Sequence, residues 1–109
     1  MVIEWLQFRI APEQRDRFLQ ADAEIWTATL AEYDGFLGKE VWLNPEQADE
    51  VTMVIRWQTR ADWSAVPADV LKATDARMAE RLGYPPEIIA ASEYTVSRWE
   101  PYSLADGDR

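Results

Sequence analysis

The chain has 109 residues, 48% of them apolar and 28% charged, with only 4 Gly and 6 Pro, the balance of one compact domain rather than a disordered chain or a repeat array. Its 20 acidic and 11 basic residues give a net charge of −9, which repels phosphate backbones and anionic lipid and so excludes nucleic acid and membrane surfaces as expected partners. The absence of both His and Cys excludes imidazole and thiolate nucleophiles, disulfides, His/Cys zinc sites and His- or Cys-ligated haem.

The first element is a strand from Val2 to Ile10. No basic region precedes it and Glu4 interrupts its apolar run, so no signal peptide is expected. No later run reaches the roughly 18 residues of a membrane span, and a cytoplasmic location is the expectation. Ala11-Pro12 ends the strand, and Pro12 opens a helix reaching about Tyr33, where Asp34-Gly35 stops it. Phe36 to Leu43 and Val51 to Gln58 read as two strands of a hairpin joined by a polar loop, Asn44 to Asp49. Thr59 and Asp62 match a capping box for a short helix that meets Pro67. A second helical stretch follows to Leu82 and ends at Gly83, and Tyr84-Pro85-Pro86 forces an extended turn. The last strand is expected from Ile88 to Trp99. The domain is thus residues 1–99, with 100–109 a polar C-terminal tail.

The order βαββαβ predicts an α+β, ferredoxin-like domain: a four-stranded antiparallel sheet with two helices on one face. Such a sheet should alternate apolar and polar residues, yet here both faces carry bulk. Ile3 and Trp5 oppose Leu6 and Phe8; Trp42 opposes Val41; Val54 opposes Met53 and Ile55; Ile89 and Trp99 oppose Ile88 and Tyr94. A second sheet would cover the extra face, which predicts a homodimer closing through the sheets into a barrel.

Gly35-Phe36-Leu37-Gly38-Lys39-Glu40-Val41-Trp42, followed by Val51 to Trp57 and then Gln58 to Trp63, resembles the dimeric α/β-barrel superfamily. More narrowly it resembles its antibiotic-biosynthesis-monooxygenase-like group, over about residues 2–99. Val2 to Leu6 and Asp22 to Thr27 look closer still to a small uncharacterised family within it. The resemblance implies the dimeric barrel and a choice of activities, among them cofactor-independent oxygenation of polycyclic phenols, haem degradation and isomerisation. The haem-degrading type carries an Asn on the first strand, a Trp on the third and a His on the second helix. Trp57 matches the Trp, but Leu6 or Gln7 stands near the Asn position and Asp75 in place of the His. A carboxylate is a poor substitute for that ligand, so haem degradation is not expected. A divalent metal held by Glu4, Asp22 and Asp75 is not expected either, since no ligand pair sits at i, i+3 or i, i+4, and the chemistry is expected to need no cofactor.

On the first helix, Phe18, Leu19, Ile25, Trp26, Leu30 and Tyr33 make an apolar face with Asp22 and Thr29 near its middle. On the second, Val70, Leu71, Thr74, Met78 and Leu82 face the core with Asp75 on the flank, and Glu4 is the one charge among Val2, Leu6, Phe8 and Ile10. Three acids from three elements therefore aim into the helix–sheet layer. A carboxylate desolvated by aromatic rings beside another carboxylate is how a general base is made. Asp22 and Glu4 are the candidate catalytic bases. Trp26, Trp57, Tyr33 and Asp75 are the candidate walls for a small aromatic ligand, a phenol or quinol whose anion reacts with O₂. The rival account is a non-catalytic ligand-binding or interaction protein that retains the barrel. In it Asp22 pairs with Arg15 or Arg56, Glu4 with an Arg or a backbone N–H, and Asp75 reaches water. A partly polar cavity with an unpaired carboxylate separates the enzyme from that rival.

Overall fold

The computed structural model describes residues 1–102; of the polar tail expected over 100–109, residues 103–109 lie outside the described residues. Four strands form one antiparallel sheet: β1 (Val2–Arg9), β2 (Phe36–Asn44), β3 (Gln47–Trp57) and β4 (Glu87–Thr95), in the order β2-β3-β1-β4. The helices are α1 (Arg15–Asp22), α2 (Ala28–Leu30), α3 (Arg60–Ser64) and α4 (Ala68–Leu82). This is the ferredoxin-like α+β arrangement that the alternation of periods predicts, with the apolar central strands β1 and β3 beneath the helices.

Residues 12–30 are not one regular helix. A 3₁₀ turn at Pro12–Gln14 leads into α1, and a π-helical turn, Ala23–Thr27, separates α1 from α2. In an α-helix, residues four apart drift by about 40° around the axis, whereas the wider π turn takes up that drift. Phe18, Asp22, Trp26 and Leu30 consequently all stay on the sheet side. Thr29, expected near mid-face, is turned aside, and its hydroxyl donates to the Ile25 carbonyl at 2.7 Å.

The hairpin is tighter than its composition suggests. The expected loop Asn44 to Asp49 is a two-residue turn at Pro45-Glu46, closed where Asn44 Oδ1 accepts from the Glu46 N–H at 2.9 Å. The strand β4 stops at Thr95 rather than Trp99. A register shift opposite Gln7/Phe8 pairs Ala90 with Gln7 and Ile88 with Phe8. That bulge reverses the facing of the strand, so Ile88 lies on the helix side and Tyr94 on the outer side instead of sharing a face. Thr59 caps α3 as expected, accepting from the Asp62 N–H at 3.0 Å.

Buried side chains fall into two clusters. Ile10, Phe18, Ala21, Val51, Met53, Met78 and their neighbours form one; Val2, Leu30, Ile55, Trp57 and Val66 form the other. Trp57 is fully buried, edge-on to Phe36 with ring centroids 5.7 Å apart. The outer sheet face carries Ile3 and Val54, which are buried, and Trp42 and Tyr94, which are 49% and 57% exposed.

Two glycines take the left-handed region, both with φ near +85°: Gly83 caps α4, whereas Gly35 lies in the turn before β2, because α2 already ends at Leu30 and not at the expected Tyr33. A Cβ at Gly83 would meet open space, but one at Gly35 would fall 2.2 Å from Asp62 Oδ2. Gly83→Ala should therefore cost about 1–2 kcal/mol, the left-handed penalty alone. Gly35→Ala should cost about 3 kcal/mol or more, because Asp62 must also leave its place. Urea unfolding of the two variants checks this, and equal losses would contradict it.

Candidate functional site

A cavity of about 260 Å³ lies between the sheet and the helices, along the seam of the two clusters. Its walls include Leu6, Phe8, Phe18, Trp26, Met53 and Trp63, and its polar lining is Glu4, Asp22, Asp75 and Lys39.

The polar side chains reach one place because of strand register. Glu4 on β1 pairs with Ile55 on β3, which pairs with Lys39 on β2, while Glu93 on β4 stands beside Glu4 on the other side. Side chains directly across a ladder share a face, so one row of the sheet reads Lys39, Ile55, Glu4, Glu93 across its helix side. The adjacent rows, Val2 with Trp57 and Leu6 with Met53, are apolar. Above the row, Asp22 descends from the last residue of α1, where the π turn begins.

Lys39 Nζ is 2.5 Å from Asp22 Oδ2, with the two side chains only 5% and 7% exposed. The partner of Asp22 is thus neither Arg15 nor Arg56. Arg56 points to the outer side, where it binds Glu40 at 2.6 Å. Burial pushes the Asp22 carboxyl above its ordinary value, and the Lys39 charge and hydrogen bond oppose the shift. Among the described residues Glu4 has neither the Arg ion pair nor the backbone partner expected for it: Oε1 accepts from the Trp57 indole at 3.3 Å. Burial raises its pKa as well, against the Trp57 hydrogen bond and the charges of Lys39 and Arg60. Arg60 binds Glu93 at 3.0 Å and lies 3.8 Å over the Trp63 ring, which neutralises the like charge beside Glu4. Asp75, from the flank of α4, lines the cavity with no hydrogen-bond or ion-pair partner among the described residues, and desolvation raises its pKa.

Of the candidates read from the sequence, Asp22, Glu4, Trp26 and Asp75 therefore meet in one cavity. Trp57 lies beneath it and touches it only through Glu4. Tyr33 lies outside, in a shallow groove between the helices with Thr29 and Arg77. Lys39 and Trp63 were missed as site residues, and Phe18, placed on the apolar face around Asp22, was not counted among the walls. Alternation along β2 carries the signal for Lys39, since it shares a face with Val41 and Leu43, an unexpected place for a lysine. Among the described residues no group of three carboxylates is placed to hold a metal ion, and no helix is long and apolar enough to cross a membrane.

Residues 1–66 match the antibiotic biosynthesis monooxygenase family. The fold is similar to the cofactor-independent oxygenase SnoaB from Streptomyces nogalater, with TM-score 0.66 and 15% identity over 93% of this chain and 97% of that one. It is similar to the monooxygenase from the ActVA-Orf6 gene of Streptomyces coelicolor, solved with the ligand Nanaomycin D, with TM-score 0.68 and 14% identity over 94% and 92%. A conserved protein from Methanosarcina mazei Go1 gives TM-score 0.61 and 18% identity over 85% and 89%. No curated protein matches the sequence.

A glutamate whose folded pKa lies above its ordinary value of 4.5 binds more protons folded than unfolded, so its contribution to stability falls as pH rises from 4.5 through the folded value. Glu4→Gln keeps an acceptor for the Trp57 indole and removes the buried charge. The variant should melt a few degrees higher at neutral pH, a gain of about 1 kcal/mol, and its stability should fall less steeply above pH 4.5. Thermal unfolding across pH checks this; an unchanged slope would show that the carboxylate bears no burial cost.

Proposed function

We propose that this chain, which belongs to the antibiotic biosynthesis monooxygenase family, is a cofactor-independent oxygenase of a small phenol- or quinol-like aromatic molecule held in the helix–sheet cavity. One observation carries the reading: a cavity of about 260 Å³ walled by Trp26, Phe18 and Trp63 holds carboxylates that no arginine among the described residues neutralises by direct contact. A layer kept only for packing would be filled, since a buried carboxylate costs several kcal/mol unless paired or protonated. The oxygenases SnoaB and ActVA-Orf6, similar in fold, support the same reaction class.

The chemistry needs a base, a flat apolar slot and O₂. Asp22 is held by Lys39, whereas Glu4 has one oxygen, Oε2, without a hydrogen bond among the described residues. Glu4 is therefore the group that takes the phenolic proton, held in place by the Trp57 indole. The resulting electron-rich anion reacts with O₂. One oxygen atom enters the ring as a quinone carbonyl and the other leaves as water, so the substrate itself is the reductant. The raised pKa of Glu4 brings the base closer to that of its phenolic partner, which favours transfer.

The outer sheet face completes the reading. Trp42 and Tyr94 stand exposed around Trp5, and two such faces closing on one another make an isologous dimer. A cytoplasmic location goes with this assignment. The rival, a binding protein without turnover, keeps the same cavity and differs only in the assay.

O₂ uptake should be measured against a panel of phenols and quinols. The rate should rise with pH through a value above 4.5, as Glu4 ionises with Lys39, Arg60, Glu93 and Asp22 around it. Glu4→Gln should lower the rate by about 100-fold or more, and Asp22→Asn should also reduce it. Equal uptake by wild type, variants and blank would reject the oxygenase reading for those substrates. Light scattering at micromolar concentration should give twice the mass of the chain, and a monomer would reject the dimer.

A further inference from the structure

Lys39 is a buried ammonium group with unused donors. An ammonium carries three N–H bonds, yet the acceptor Lys39 meets among the described residues is Asp22 Oδ2 alone, at 2.5 Å. Its side chain is 5% exposed and lines the cavity, so the remaining donors face the space a ligand would fill. Leaving such donors unmet is costly in a low-dielectric layer. The register holds the group in place from the sheet, and Asp22 holds it from the helix.

We propose that Lys39 is the binding site for the negative oxygen of the substrate, with Asp22 the positioning residue that fixes its ammonium group. This inference rests on the aromatic-cavity reading above and narrows the substrate class. The cavity already contains Glu4, Asp22 and Asp75 against one cation, so a ligand that is anionic before entry is repelled. A ligand that enters neutral and loses a proton to Glu4 adds no charge. The O–H bond of the ligand breaks, the proton goes to Glu4 Oε2, and the electron pair stays on the ligand oxygen beside Lys39. Negative charge thus moves from Glu4 toward the cation, and no oxidant is needed for this step. Substrates are then neutral hydroxy-aromatics, not aromatic carboxylates.

The test uses 4-nitrophenol, which is yellow only as the phenolate, with the full-length protein at a pH where the free phenol is mostly neutral. Binding is read separately from quenching of tryptophan fluorescence, since Trp26 and Trp63 line the cavity. The wild type should bind and give a yellow complex, with ionisation displaced by a factor of about ten or more relative to free phenol. The anionic analogue 4-nitrobenzoate, which keeps the nitrophenyl ring but carries a carboxylate in place of the hydroxyl, should quench about tenfold less at equal concentration. Lys39→Met should still quench but lose the yellow signature, and Lys39→Arg should keep it. Should Lys39→Met fold poorly, the paired variant Lys39→Met with Asp22→Asn removes both charges together and should give the same colourless complex. Quenching without colour in the wild type, colour retained without Lys39, or equal binding of the carboxylate would each overturn the role of Lys39 while the cavity reading stands. No quenching by the phenol would overturn both.

Discussion

The Lys39–Asp22 ion pair is the contact about which the helix–sheet layer is arranged. It joins an edge strand to the point where α1 becomes a π turn, and it lines the cavity beside the two apolar clusters that Leu6 and Trp26 bridge. Taking two charges out of water costs several kcal/mol per ion, and even a close pair in a low-dielectric interior seldom gains more than hydrocarbon packing would. The cost is compounded by Glu4 in the same row. A layer built for stability alone would place Leu or Met at these positions. The cavity follows from the same constraint, because short carboxylates and one lysine on a row of the sheet cannot interdigitate as branched hydrocarbons do.

Arg60 moderates this concentration of charge. It binds Glu93, lies over Trp63, and acts through space on Glu4. Its own side chain is about half exposed, so its field is screened by solvent. Glu4 therefore receives enough positive potential to be tolerated beside Glu93 without being locked into an ion pair. An arginine in direct contact would hold Glu4 ionised but occupy the oxygen that a base must keep open. The indole of Trp57 is a weaker partner that fixes one oxygen and leaves the other available.

Much of the architecture was legible in the chain because period and punctuation agree. Alternation marked the strands, Pro12 and Gly83 marked helix ends, and Thr59 with Asp62 marked the cap of α3. Placing Asp22 and Glu4 in the helix–sheet layer needed only a face assignment. The failures share a cause: each is a local change of period that a fixed template cannot contain. The π turn shifts the wheel after Asp22, which turns Thr29 out of the cavity and keeps Trp26 in it, while Tyr33 lies past the end of α2 and outside the helical wheel. The bulge in β4 reverses Ile88 relative to Tyr94. Residues 47–50 are polar because that end of the hairpin is solvated, not because it is a loop. Lys39 was hidden by being read within a motif, although alternation along β2 already puts it on one face with Val41 and Leu43; what the strand alone does not show is that this face meets Asp22.

The two faces of β2 tie the cavity to the outer surface of the sheet. Lys39 points inward from this edge strand, while its neighbours Glu40 and Trp42 point outward, with the Trp42 indole 3.3 Å from Glu40 and Arg56 bound to the same carboxylate. An edge strand is hydrogen-bonded on one side only, so β2, like β4 at the opposite edge, is freer to open and close locally than the central strands. Any sliding or fraying of β2 displaces Lys39, and with it the anchor of Asp22 and the field at Glu4. A second sheet pressed on Trp42 would order the strand from outside. The position of the one cation in the cavity would then depend on the surface through which two chains meet. Bulk on the outer face and charge on the inner face would in that sense be one design: an aromatic surface covered by a second sheet would hold still the strand from which the lysine is presented.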